Sequence, residues 1–243
     1  MNHPQQHPNW PDRLVSIIAR HWLALVLTFT GVYILVPFIA PVLMKLGATR
    51  AASVIYTIYS TQCHQLPQRS WFLFGGQLTY PMAQINAARG STDLATLREF
   101  VGNTSMGFKV AFSDRMISLY ASLWVAALLY RLFGLRLRAL PILVWALFMI
   151  PLGLDGITHF VSDILGGFAG GFRVTNEWLR ILTGNTFADT FYQGDAWGSF
   201  NSLMRLASGV LAGIATIMLI LPRVNGGLSA NTIETASASG SSR

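Results

Sequence analysis

Residues 21–44 read HWLALVLTFTGVYILVPFIAPVLM, an apolar run with no acidic, lysine or arginine side chain. It is longer than the ~20 residues an α-helix needs to cross the hydrocarbon of a bilayer. Pro37 and Pro41 predict a kink, which a lipid-buried helix tolerates when neighbours take up the freed carbonyls. Working outward, the runs at 116–132, 140–161 and 203–221 predict three further spans. Composition agrees: 52% of the 243 residues are hydrophobic and 11% charged, where soluble proteins carry about 25% charged residues. The fold class expected is an all-α polytopic membrane protein with about four transmembrane helices, interfacial helices and a long polar connection between spans one and two.

The organisation follows from these spans. Residues 1–20 form a polar N-terminal segment without the basic region and cleavage site of a signal peptide, so span one is expected to be a retained anchor. Residues 21–222 form a single membrane domain, with long connections at 45–115 and 162–202. Residues 48–60 are mildly amphipathic and too short to span, which suits an interfacial helix. No strand is expected. A short helix is predicted over 176–182, capped by Thr175 or Asn176. The small polar residues of 223–243 predict a disordered tail.

The short loop RLFGLRLR places Arg131, Arg136 and Arg138 together without an acid, which marks a cytoplasmic loop. Arg13, Arg20 and Arg223 agree, so the expectation is a multi-pass cell-membrane protein with both termini cytoplasmic. The net charge of +7 is scattered, without the clustered stripe that neutralises nucleic-acid phosphates. No nucleic-acid partner is expected; the bilayer itself is.

Span three carries the chemistry in IPLGLDGITHFVSD (150–163). Asp155, His159 and Asp163 recur every four residues and share one helix stripe. A charge near the centre of a span costs at least ~2.5 kcal/mol unless paired or wetted. Three readings stay open: a divalent metal held by N and O ligands, a proton relay through His159, or a structural pairing. Arg115, at the start of span two, is the expected partner of Asp155, while Asp114 reads as a helix N-cap. In CHQLPQRSWFLFG, Cys63 and His64 offer S and N ligands, and Arg69 could meet anions or lipid headgroups. A metal site would draw on Cys63, His64, His159 and Asp163. The single cysteine excludes an internal disulfide. The glycines match no phosphate-binding loop, and the GxxxG of Gly209 and Gly213 reads as helix packing.

These blocks carry a resemblance. CHQLPQRSWFLFG, then MGFKVAFSDRMISLYAS, PLGLDGITH and TNEWLRILTG, taken in order, resemble the prokaryotic membrane-protein family called domain of unknown function 2085. The resemblance implies a fold and a location, with no established activity. The family pattern has further cysteines near the arginine before span two. Here that stretch reads Phe112-Ser113, with Met116 after the arginine, so part of a thiolate site would be missing. It supports grouping Cys63, His64, Arg115, Asp155 and the Thr175-Asn176/Arg180 block as one neighbourhood, and the polar cluster expected is Cys63, His64, Arg69, Arg115, Asp155, His159, Asn176 and Arg180.

The function expected is that of an accessory or assembly subunit of a membrane complex, meeting partner subunits through its long connections. The rivals are a metal-dependent or redox enzyme built on Cys63, His64, Asp155 and His159, and a small proton- or ion-coupled transporter.

Overall fold

The structure, a computed structural model, describes residues 10–133 and 137–240. In chain order, α1 (Trp10–Lys45) is followed by α2 (Thr49–Ser60), a 3-10 turn (Pro67–Arg69) and β1 (Ser70–Leu73). Next come α3 (Met82–Arg89), α4 (Leu94–Glu99), β2 (Gly102–Asn103) and β3 (Gly107–Ser113). The remaining helices are α5 (Asp114–Phe133), α6 (Ile142–Gly170), α7 (Phe172–Thr175), α8 (Glu177–Leu182), α9 (Asp189–Tyr192) and α10 (Phe200–Gly240). Four segments among the described residues are long and apolar enough to span: Arg13–Lys45, Asp114–Phe133, Ile142–Gly170 and Phe200–Gly227. The chain is a polytopic helical membrane protein. Arg136, counted above toward orientation, lies outside the described residues.

Two of the prolines inside these spans are put to use. Pro37 cannot donate to the carbonyl of Tyr33, and that oxygen instead accepts the Tyr59 hydroxyl at 2.8 Å. This contact holds α2 on α1. Pro222 likewise frees the carbonyl of Met218, which accepts the N–H of Leu140 at 3.0 Å. Each proline removes one helical bond and supplies a tertiary one. Pro222 therefore does not end α10, which runs on to Gly240 where composition predicts a disordered tail. Once a helix is nucleated, each further residue adds a bond cheaply.

A small antiparallel sheet, ordered β1-β3-β2, corrects the expectation of no strand. β3 pairs with β1 from Ser113↔Ser70 to Phe108↔Leu73, with a bulge between. Val110, Ala111 and Phe112 are all buried, in one core with Tyr56, Tyr59 and Cys63 of the α2 region. With both faces covered, the strand shows none of the alternation by which a half-exposed strand is read.

Lys109 lies in this sheet, fully buried, donating to the carbonyls of Gln65 at 2.7 Å and Arg98 at 2.9 Å. Burial pushes its amine down to about 7, against a small opposing effect of Cys63. An unfolded lysine keeps its proton to about pH 10.4. Above 7 the unfolded chain therefore binds more protons than the folded one, and stability rises with pH.

α5 and α10 pack closest of all. A Cβ added to Gly213 would stand 2.6 Å from the Leu119 carbonyl, and one on Gly209 only 2.0 Å from Ser118 Oγ. Ser122 donates to the Gly209 carbonyl at 3.4 Å across the same seam. The small residues on both helices are what permits the approach.

Two outcomes are expected. Gly213→Ala should destabilise the protein by about 1–3 kcal/mol through overpacking, whereas Gly226→Ala, with open space around it, should not; detergent unfolding curves compare them. The unfolding midpoint of the unmodified protein should climb between about pH 7 and 9.5 and do so less in Lys109→Met. Parallel pH profiles for the two would refute the buried-lysine argument.

Candidate functional site

The stripe on α6 is where the chain gathers its charge. Asp155, His159 and Ser162 are the buried residues of that helix. Above Ser162 the glycine-rich turn folds the chain back on itself: Gly167 has φ +69, and a Cβ on Gly171 would stand 2.2 Å from Ser162 Oγ. The return is short enough for the Arg173 N–H to donate to Ser162 Oγ at 2.9 Å. Arg173 is thereby set against Asp155, its Nη2 bonding Oδ1 at 2.8 Å.

The other oxygen of Asp155 meets Arg115 Nη2 at 2.5 Å, so the expected pair is formed and a second arginine joins it. His159 lies between two acids. Its Nδ1 is 2.8 Å from the Asp155 carbonyl and 3.3 Å from Oδ1 of the same residue, and its Nε2 is 3.3 Å from Asp195 Oδ1. The Nε2 contact is off hydrogen-bond geometry.

Asp195 opens the second half of the site. It accepts from Arg69 Nε at 2.8 Å and Arg205 Nη1 at 2.7 Å. Arg69 reaches on to Asp163 through both Nη atoms, each at 2.8 Å. Arg205, 1% exposed, bonds both oxygens of Asp114 at 2.7–2.9 Å and also the Asp195 carbonyl at 2.7 Å. Asp114 is therefore the buried counter-ion of Arg205 more than the helix cap expected of it.

The result is four arginines, four aspartates and one histidine, drawn from six segments of chain. Burial alone would raise the Asp195 carboxyl, yet Arg69 and Arg205 hold it well below the usual range. The same two acids, Asp195 and Asp163, raise Arg69 against its burial. Arg173 goes the other way: burial lowers it, and Asp155 only partly restores it. That difference has a simple source. Asp155 is one carboxylate facing two guanidiniums, Arg115 and Arg173.

The remaining residues expected in the cluster divide. Cys63 and His64 line a cavity of about 170 Å³ that also touches Arg69, Arg115 and Arg205. Cys63 Sγ accepts only the Gln65 N–H, at 3.4 Å. Asn176 is fully buried but sits behind the network. Its Nδ2 donates to the Tyr192 carbonyl at 2.7 Å, and its partner Asn201 braces the Arg173 and Gly194 carbonyls. Asn176 occupies the N-cap position of α8 without capping it through its side chain. Arg180 is elsewhere: it pairs with Asp189 at 2.7 Å and lies over the Tyr192 ring. It stays out of the cluster because its guanidinium is held by Asn185 and Asp189, on the segment that follows α8.

A metal does not fit this arrangement. Among the described residues no three His, Cys, Asp or Glu side chains come together as ligands. Both oxygens of Asp163 are taken by Arg69, and Asp155 is taken by two arginines. The ligand set of Cys63, His64, His159 and Asp163 finds no support among the described residues: it does not come together as a group, and Arg69 holds both oxygens of its one carboxylate.

Arg205 and Asp195 were absent from the sequence reading. Arg205 had a signal: a lone charge inside the fourth apolar run, subject to the rule applied to Asp155. Asp195, in a loop, had none.

Removing one partner from such a buried pair leaves a charge uncompensated, at about 3–5 kcal/mol. Arg205→Leu should cost that much, while Arg180→Leu should leave the unfolding midpoint in place. The pH dependence has a definite sign. Asp195 titrates lower folded than unfolded, where an aspartate has a pKa of about 3.9. Its contribution is complete above that value and is lost only in stronger acid. Melting curves between about pH 8 and 4 should show no acid loss from this residue; an earlier loss that Asp195→Asn removes would contradict the network.

Comparison with known proteins agrees on a membrane protein. The chain is 25% identical over 174 residues to an uncharacterized protein of Methanocaldococcus jannaschii, covering 68% of this chain and 83% of that one. No solved structure matches significantly. Over residues 104–188, the stretch that holds Asp114, Arg115, Asp155, His159, Asp163 and Arg173, this chain matches domain of unknown function 2085, a family of predicted membrane proteins.

Proposed function

We propose that this protein is a non-catalytic accessory subunit of a membrane complex, and that it receives an acidic group of its partner at Arg115. One observation carries the reading. Arg115 spends a single N–H on Asp155, while its Nε has no hydrogen-bond partner and its side chain is one-quarter exposed. It faces a cavity of about 400 Å³ that it shares with His64, Arg69 and His159, walled by Phe160, Ile164 and Phe168. The only acid on that wall, Asp163, is already committed to Arg69. An incoming carboxylate would find unspent guanidinium donors in a half-dry site, where charge-assisted bonds are strongest.

The rest of the network supports a scaffold. Its acids are neutralised by arginine, which leaves no carboxylate free for general-base work and no ligand set for an ion. Arg131 and Arg138, flanking the connection between α5 and α6, favour placing that end and both termini in the cytoplasm. The acceptor cavity would then open on the opposite face.

Purification of the tagged full chain from its own membranes in mild detergent should recover a stoichiometric partner. Arg115→Gln should lose it about tenfold while remaining folded, and Arg180→Gln should keep it. Recovery of a lone monodisperse protein, or equal recovery with Arg115→Gln, would refute the reading.

A further inference from the structure

A third cavity reaches Asp155 from another side. It is a cleft of about 670 Å³ between α6 and α10, lined by Pro151, Leu154 and Thr158 on one wall and Met204, Ala207 and Leu211 on the other. Arg173 stands in it with Phe172, Trp178 and Phe200 around it. From Phe200 to Leu211 the wall rises about 16 Å at 1.5 Å per residue. It belongs to two membrane-spanning helices, so the medium that meets it is lipid.

Two charged side chains line the cleft, Asp155 and Arg173, and the arginine is underspent. Arg173 is 7% exposed, and its Nη2 bonds Asp155. Its Nε is buried without a hydrogen-bond partner, and the guanidinium lies 5.5 Å from the centre of the Phe200 ring. Asp155 is shared with Arg115, so the triplet of one aspartate and two arginines carries a surplus positive charge. A buried donor without an acceptor costs about 1–3 kcal/mol, and more when charged. Water could not fill the apolar length of this cleft favourably, and a simple anion would leave that length empty. An amphiphile satisfies both ends: an acyl chain along Leu154, Met204 and Leu211, and an anionic oxygen on Arg173. Volumes of about 300–1,000 Å³ suit ligands of that size. Trp178, half-exposed at the polar end, is the side chain that favours the headgroup level.

We propose that this cleft is a binding site for a single anionic phospholipid, with one acyl chain between α6 and α10 and its phosphodiester on Arg173. The site is spatially distinct from that of the partner reading above, which uses Arg115 and another cavity, although the two arginines share Asp155.

The test is native mass spectrometry of the full-length protein, delipidated in detergent and titrated with defined lipids. Phosphatidylglycerol should bind as one retained equivalent, about tenfold tighter than phosphatidylcholine with the same chains. Arg173→Gln should remove that preference. Because Arg173 also braces Asp155, Ala207→Trp serves as a second variant: it fills the cleft from an exposed position and should abolish retention of both lipids. Equal affinity for the two lipids overturns the proposal. So does retention by Ala207→Trp, or inorganic phosphate competing as well as the lipid does, which would reduce the site to a bare anion pocket. Loss of lipid with the Arg115-dependent partner retained, or the converse, separates the two readings.

Discussion

A guanidinium buried in a span governs the architecture. Arg205 sits in the second turn of α10, within a helix made otherwise for lipid, and it cannot be desolvated unless every donor finds an oxygen. Asp114 and Asp195 supply those oxygens, and each requirement has a structural price elsewhere. To bring Asp114 close, α5 must lie against α10, which the small residues at 118, 122, 209 and 213 allow. To bring Asp195 close, the segment after α6 must double back into the bundle. The turn at Gly167 and Gly171 and the buried amides of Asn176 and Asn201 are the means by which it does so. The polar connections are therefore part of the core and not coverings for it.

Much of this was legible in the sequence, and the reasons for the exceptions are physical. Spans are read from length and apolarity, two properties the bilayer imposes directly, so the four helices are evident from the sequence. The Asp155–His159–Asp163 stripe was also evident, since a four-residue spacing maps to one helix face without knowledge of neighbours. Arg115 followed from antiparallel order alone. Arg173 and Asp195 did not, because their approach depends on backbone turns whose geometry is set by glycine contacts rather than by periodicity. The sheet was missed for a related reason. β3 is enclosed on both sides, and an enclosed strand has no pattern to show.

The metal expectation, which the described residues do not support, is instructive in the same terms. A histidine among aspartates has the composition of an ion site, and spacing cannot distinguish it from a salt-bridge cluster. What distinguishes them is the number of arginines that fold brings to the same place. Here Arg69, Arg115, Arg173 and Arg205 arrive from four different segments and satisfy the carboxylates one by one. The distribution is uneven: Arg69 and Arg205 face three acids between them, Arg115 and Arg173 face one. The donors without a partner, the Nε atoms of Arg115 and Arg173, belong to the pair that shares one acid.

The freed carbonyl at Met218 has a mechanical consequence. It ties the beginning of α6 to α10 through Leu140, and Arg223 adds a bond to the Leu140 carbonyl at 2.7 Å. The charge cluster ties the same two helices at the opposite end. α6 and α10 are thus tied at both ends, through Leu140 at one and through Asp195 at the other, and these ties oppose a hinged opening of the gap between them. What they leave is bowing. Pro151, which breaks one helical bond at mid-length on the wall of that gap, marks where α6 is most compliant.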